Sequence, residues 1–337
     1  MKPWLYRFAG ILVSAFFIYL AVRRVDVAES LRVLGSIEPW ILLAGTLVYL
    51  CGLPIRALRW RLILRTQKAL SLKEILVPLT VGHMANNVLP ARTGELYRAH
   101  FLGRRVRMSR SGVVGSIVVE RTLDGLMMVA VILLVFLLFP GERFLGGAAL
   151  VTGIIFVAVA AVLLFHVLAP ESTRRVEDRI VGFLPDSFRE PVGARLGAFS
   201  HGARGVSTAR EIFAAAGYTA LIWAVEAAAA ALVVISFGIT LPIGGYLLVF
   251  ALAALSTTLP SGPGYVGPYQ YAFVLSLGYF SVSRETALAV SVAAQAALLG
   301  SVVVIGLALL WSFQLRGDAT PEERVPQEPE REKVGRG

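Results

Sequence analysis

Apolar residues fall in long runs separated by short polar stretches: Trp4 to Val22, Pro39 to Leu58, Gly112 to Phe139, Leu145 to Leu168, Ile212 to Phe237 and Ala287 to Trp311. Each run is long enough to cross a hydrocarbon core at the helical rise, so the pattern predicts about six full spans. Two further apolar segments, Ile75 to Leu102 and Ile243 to Phe280, are interrupted. The same short pattern breaks both, Leu-Pro followed by three residues and a glycine: Leu89-Pro90-Ala91-Arg92-Thr93-Gly94 and Leu259-Pro260-Ser261-Gly262-Pro263-Gly264. Lipid offers no partner to a freed backbone N–H or C=O, so such breaks persist only where protein or a water-filled cavity satisfies them. Paired breaks in two halves of a membrane protein are the trace of a transporter built from repeats, with its site between them.

Composition strengthens the membrane reading. Hydrophobic residues make up 56% of the chain and charged ones only 16%, with a mean hydropathy of +0.72, far from a soluble globular protein. The first run begins Met-Lys-Pro-Trp, but Arg23, Arg24 and Val25 stand where a small-residue cleavage site would follow a signal peptide, which predicts a retained span. The single cysteine, Cys51, excludes a disulfide framework. Residues 313–337 are rich in Pro, Glu and Arg and nearly devoid of apolar residues, as expected of a disordered cytoplasmic tail.

Charge then orients the spans. The net charge of +10 gathers at Arg56 to Lys68, Arg92 to Arg110 and Arg174 to Arg210. In a soluble protein such clusters suggest nucleic acid. Beside membrane spans they follow the positive-inside rule, and no nucleic-acid partner is expected. With all three in the cytoplasm, the first interrupted segment enters and leaves from the cytoplasmic side, the second from the outer side, and both termini are cytoplasmic. The expected fold is therefore all-α, a polytopic protein of about six full spans plus two interrupted, re-entrant helical hairpins in an inverted pseudo-repeat, an arrangement suited to alternating access. One integral-membrane unit, residues 1–312, would comprise halves of about 1–169 and 210–312. The Arg-rich linker 170–209 is expected to lie as an amphipathic stretch on the cytoplasmic membrane surface.

The densest polar cluster runs from Asn86 to Asp124. Asn86 and Asn87 end an apolar run, Arg92 lies in the first break, Glu95 and Arg98 follow at i,i+3 spacing, and Glu120, Arg121 and Asp124 lie inside a span. Helical spacing places Arg121 and Asp124 on one face. Ionisable residues at membrane depth are costly and face a bundle interior or an aqueous cavity. The arginine fork suits phosphate. Two roles are open to these residues, a phosphate site and a set of ion pairs holding helices together.

The second break carries three glycines, three prolines and three tyrosines between Leu259 and Tyr271, and no charge. Its candidate ligand groups are Gly264, Tyr265, Gly267, Tyr269 and Gln270. Glycine permits close backbone approach, a helix beginning near Gly267 would aim its N–H groups at an anion, and tyrosine can stack on a headgroup. The same features describe a structural turn with interfacial aromatics. Glu226 and Gln295, lone polar residues in spans, read as helix–helix contacts. Four histidines, His83, His100, His166 and His201, lack metal-ligand spacing, and nucleotide or zinc motifs are missing. No metal, cofactor or conventional catalytic residue is expected.

Four ordered motifs carry a family resemblance: Arg56-Ala57-Leu58-Arg59-Trp60; Asn87-x-Leu89-Pro90-x-Arg92-x-Gly94-Glu95-x-x-Arg98; Glu120-Arg121-x-x-Asp124; and Leu259-Pro260-x-x-Pro263-Gly264-x-x-Gly267. The chain resembles, over nearly its whole length, the transmembrane region of the lysylphosphatidylglycerol synthase family, also called the flippase-like domain family. The resemblance implies an inner-membrane protein that moves, or helps to move, a lipid or lipid-linked molecule between leaflets. It also implies a stand-alone member, since the soluble aminoacyl-transferase domain of the synthases is not in this sequence. Many members carry an acidic residue shortly after the second break, where this chain has Pro268-Tyr269-Gln270, a departure that bears on a cationic headgroup. The expected function is movement of a phosphate-bearing lipid, with Asn87, Arg92, Glu95, Arg98, Arg121 and Asp124 at the phosphate and Gly264 to Gln270 as the opposite gate. The alternatives are an integral-membrane transferase using a polyprenyl-phosphate donor and a non-catalytic partner of a separate lipid-modifying enzyme.

Overall fold

The computed structural model describes residues 3–23, 25–89, 93–139, 143–259 and 261–315, and among these it is all-helical, with no strand. In chain order the helices are α1 (Pro3–Val22), α2 (Val27–Leu34), α3 (Pro39–Leu64), α4 (Leu72–Val88), α5 (Gly94–Arg105), α6 (Arg110–Leu138) and α7 (Arg143–Leu168). There follow α8 (Pro170–Gly182), α9 (Asp186–Ala203), α10 (Ala209–Ile235), α11 (Ile243–Ser256), α12 (Pro268–Gly278), α13 (Arg284–Ala294) and α14 (Gly300–Leu315). Pro263–Tyr265 forms one 3₁₀ turn before α12, and Gln295–Leu299 joins α13 to α14 through a π-helical turn. Among the described residues, four runs are long and apolar enough to cross a membrane: Pro39–Leu64, Arg110–Leu138, Ala209–Ile235 and Arg284–Ser312. Shorter apolar stretches lie at Ile11–Val22, Gly153–Leu163 and Ile243–Ser256. The chain is a polytopic membrane protein.

Local signals set the ends of several helices. Ser71 caps α4 and Thr208 caps α10, each accepting the backbone N–H of a glutamate three residues on, Glu74 and Glu211. Each glutamate in turn accepts the cap residue's own N–H, which satisfies two otherwise orphan donors. Ser109 accepts the Gly112 N–H at the start of α6, and Ser283 that of Thr286 in α13.

α6, about 43 Å long at about 1.5 Å per residue, is the axis on which the two interrupted segments are hung. α4 and α5 fold back on each other, and Lys68 Nζ donates to the Val106 carbonyl at 2.7 Å, so the two open ends of this segment lie together. Next to them, Gln67 Nε2 donates to the Gly112 carbonyl in the first turn of α6. The second segment, α11 and α12, closes in the same way: a Cβ on Gly245 would lie 2.9 Å from the Phe280 ring. Its base sits at the other end of α6, where Phe139 meets Tyr279 and Phe280 with ring centroids 5.4 and 5.9 Å apart. Two hairpins thus enter from opposite ends of one spanning helix.

Their tips meet inside. Asn87 Nδ2, at the end of α4, donates to the Leu299 carbonyl at 3.4 Å. Gln295 Nε2 donates to the Gly264 carbonyl, and Gln270 Nε2 donates to Gln295 Oε1 at 2.5 Å. Gly264 and Gly267 hold φ values of +68° and +100°, a region open to glycine and strained for side chains with a Cβ. Gly267 also presses on α1, where a Cβ would come within 2.4 Å of the Ser14 carbonyl oxygen. Ser14 Oγ accepts the Gly262 N–H at 2.8 Å. Protein groups thus satisfy the Gly262 N–H and the Gly264 carbonyl at the second break, as burial in a membrane requires.

Two features differ from the sequence reading. The basic stretch Arg56 to Lys68 is not wholly a cytoplasmic flank, because α3 continues to Leu64 and Arg59 is completely buried within the bundle. Acidic partners on other helices make that position tolerable, and a count of positive charge along the chain does not register them. In the linker, α9 packs into the bundle: Cβ atoms on Gly115 and Gly202 would lie 2.3 Å from the Phe199 carbonyl oxygen and 1.9 Å from that of Gly112. α8 keeps Val176 and Ile180 exposed, and Phe183 follows it.

The first hairpin depends on glycine at position 94, where a Cβ would sit 2.4 Å from the Gly82 carbonyl oxygen and 2.5 Å from the Asn86 nitrogen. Gly94→Ala is expected to cost about 1–3 kcal/mol through overpacking and to lower the melting temperature in detergent. Gly197→Ala, with nothing within 4 Å of the added Cβ, serves as the neutral comparison.

Candidate functional site: a charge-paired cavity

Glu120 lies about 15 Å into α6 from its start and is completely buried. Arginines from three helices converge on its carboxylate. Arg59 of α3 reaches Glu120 Oε1 at 3.1 Å, holds Asp124 through both terminal nitrogens at 2.5 and 3.1 Å, and donates to Thr219 Oγ1 at 2.9 Å. Arg98 of α5 forks onto both oxygens of Glu120. Its guanidinium carbon lies 3.5 Å from the centroid of the Trp60 ring, and Trp60 Nε1 in turn donates to Ser116 Oγ at 3.1 Å. Arg121 of α6 contacts Glu120 at 3.2 Å, Asp124 at 3.3 Å and Glu95 at 3.3 Å.

These three cations differ in availability. The Arg59 and Arg98 side chains are 0% and 2% exposed, whereas that of Arg121 is 36% exposed. Arg59 is consumed by two carboxylates and a hydroxyl, and Arg98 by one carboxylate and an aromatic face. Their role is to fix α3 and α5 to α6. Arg121 shares its charge among three carboxylates at longer range and keeps one side open.

That open side faces a cavity of about 500 Å³. Arg121, Glu95 and Asp124 make one wall. Arg56 of α3 and Glu226 of α10, paired with each other, make another beside Tyr49. The end of α4 contributes His83, Asn86 and Asn87, and the second break contributes Tyr265 and Tyr269. Thr257 and Thr258 lie where α11 ends, and Met128, Phe156, Trp223 and Phe250 supply apolar surface. His83 Nδ1 is 2.9 Å from the Leu79 carbonyl; with the proton assigned to that nitrogen, Nε2 is left as an acceptor.

Of the residues singled out from sequence, Asn87, Glu95, Arg121, Asp124, Tyr265 and Tyr269 line the cavity. Arg98 stands behind its wall and holds Glu120 in place. Gly264, Gly267 and Gln270 build the turn at the tip of the second hairpin, where the Gly267 N–H donates to Gln270 Oε1 at 2.7 Å and that donor is already satisfied. Arg92 lies outside the described residues. Sequence reasoning passed over Tyr49, Arg56, Arg59 and Glu226 as members of the site. Their signal was present as two arginines three apart at the end of an apolar run and one glutamate inside an Ala-rich span. Pairing of charges between distant spans was needed to read it.

The family model described as "Lysylphosphatidylglycerol synthase TM region" matches residues 7–306. A Haloferax volcanii protein named glycosyltransferase AglD is 28% identical over 94% of this chain and 55% of its own length, so the chain spans about half of that relative. A UPF0104 membrane protein of Methanothermobacter thermautotrophicus is 24% identical over 86% of this chain and 89% of its own. No solved structure matches.

Removing the shared anion tests the network. Glu120→Gln leaves buried guanidinium groups without their common partner and is expected to cost about 3–5 kcal/mol. Arg65→Ala removes a cation that is 65% exposed and paired with Glu211 and is expected to cost less than about 1 kcal/mol. Melting temperatures followed by tryptophan fluorescence in detergent check both.

Proposed function

The chain belongs to the lysylphosphatidylglycerol synthase transmembrane region family, and from that footing we propose that it moves a phospholipid or lipid-linked phosphate between the leaflets of the cytoplasmic membrane. The observation that carries the reading is Arg121, a partly exposed cation within the bundle, in a cavity lined from both hairpins. A phosphate reaching Arg121 competes with Glu95 and Asp124, each in contact with its guanidinium at 3.3 Å and each lining the cavity. Charge-assisted hydrogen bonds to phosphate favour that exchange in a site of low dielectric.

Exchange also couples headgroup to fold. Glu95 belongs to the first hairpin, so freeing it from Arg121 loosens that hairpin from α6, while Tyr265 and Tyr269 present the second hairpin to the same headgroup. Hairpins that enter from opposite ends then respond to one ligand, which is what alternating access requires. The reading places both termini in the cytoplasm and allows a separate lipid-modifying enzyme as partner. A second reading, an integral-membrane transferase acting on a polyprenyl-phosphate lipid, is favoured by the relative named as a glycosyltransferase. It requires covalent product in detergent, where no leaflets exist.

The test is leaflet redistribution of fluorescent phosphatidylglycerol and of a fluorescent polyprenyl phosphate in vesicles containing the purified protein. Arg121→Ala is expected to slow movement roughly tenfold or more, the loss of at least about 1.4 kcal/mol of phosphate interaction, with Arg121→Lys in between. Wild-type vesicles that redistribute none of these lipids would sink the proposal.

A further inference from the structure

A lipid whose headgroup occupies the cavity must keep its acyl chains in the bilayer, so the wall between cavity and lipid has to part along a helix seam. α3, α4, α6, α10 and α11 are tied to one another through the ion pairs and the packed cores around them. α7 is held differently. Most of its described apolar residues face outward, among them Leu150, Ile154, Val157 and Val162. Among its described residues the inward side rests on α6 and its neighbours: Gly153 lies beside Val129, Leu163 touches a cluster around Ile63 and Val119, and Phe156 packs beside Met128 and Trp223 and enters the cavity wall.

Phe156 occupies a notch that exists because residue 125 has no side chain. A Cβ on Gly125 would lie 2.0 Å from two ring carbons of Phe156 and 2.4 Å from its Cγ, a separation no packed atoms tolerate. Gly125 directly follows Asp124, the carboxylate shared by Arg59 and Arg121. One aromatic ring therefore stands between the charged wall and a helix whose other side is lipid-facing. We propose that the seam between α6 and α7 is the lateral portal through which an acyl chain of the transported lipid passes, and that Phe156 is the plug seated at Gly125. The proposal rests on the lipid-transport reading of the cavity for its headgroup, and on the α6–α7 packing for its route.

The notch supplies the means of locking it. The distance from Phe156 Cγ to the Cβ position of residue 125 puts the two Cβ atoms within about 4 Å, inside the reach of a disulfide. In a Cys51→Ser background, Gly125→Cys with Phe156→Cys can be oxidised to close the seam and reduced to free it. The probe is phosphatidylglycerol with a photoactivatable diazirine on one acyl chain, in vesicles, with labelled residues located by mass spectrometry. Met128 lines the cavity and is 4% exposed, whereas Ile154 on α7 is 62% exposed, so surface lipid labels only the second. Wild type and the reduced double variant are expected to label at both positions. Oxidation is expected to lower labelling at Met128 by roughly tenfold, as for a closed gate, and to leave Ile154 labelled, which also shows that the protein remains folded in the membrane. Label at Met128 that is absent in wild type, or indifferent to oxidation, overturns the portal. Label that depends on the seam but is unchanged by Arg121→Ala supports the portal and counts against the phosphate reading.

Discussion

One buried carboxylate organises this molecule. Glu120 sits where α3, α5 and α6 come together, and its two oxygens meet Arg59, Arg98 and Arg121. Each ion brought into such a place loses several kcal/mol of hydration, which mutual attraction returns only if the geometry is good and the remaining donors are satisfied. Thr219, Asp124 and the face of Trp60 take up the terminal nitrogens of Arg59 and the guanidinium face of Arg98, while the Nε–H groups of Arg59 and Arg98 are buried without a hydrogen-bond partner. The positions of three helices are consequently not independent, and the first hairpin is held to α6 by charge as well as by packing.

A second constraint works through small residues. Gly82 and Gly94 let α4 and α5 approach until a single Cβ would collide, and Gly112, Gly115 and Gly202 do the same for α6 and α9. Close backbone approach is a principal way for helices to gain contact in lipid, where no hydrophobic force draws them together. At the meeting of the two hairpins the fit is made by amides instead: Asn87, Gln270 and Gln295 bind the tips through neutral hydrogen bonds. Such bonds are weaker than the ion pairs that hold α5 to α6.

The candidate site follows from the division of labour among the arginines. Arg59 and Arg98 are spent on architecture, which leaves Arg121, among the described residues of this network, as the cation with an exposed side, and the Arg56–Glu226 pair lines the same cavity. The cavity that results combines charged and polar groups with the apolar surface of Met128, Phe156, Trp223 and Phe250.

Much of this was legible in the chain. Long apolar runs dictated membrane helices, because hydrophobicity and the absence of lipid-borne hydrogen-bond partners act locally, and the Leu-Pro breaks marked the two segments that turn back. Glu95, Arg121 and Asp124, singled out from charge within apolar segments, line the cavity. Other features were not legible. Arg59 and Asp124 are 65 residues apart and Arg56 and Glu226 are 170 apart, so neither spacing nor periodicity joins them. The sequence by itself determined that there are membrane helices and where two apolar segments turn back, because hydrophobicity and helix-breaking residues act locally. Only the tertiary structure decided which arginine is left open, because burial and pairing depend on what distant helices bring to the same point.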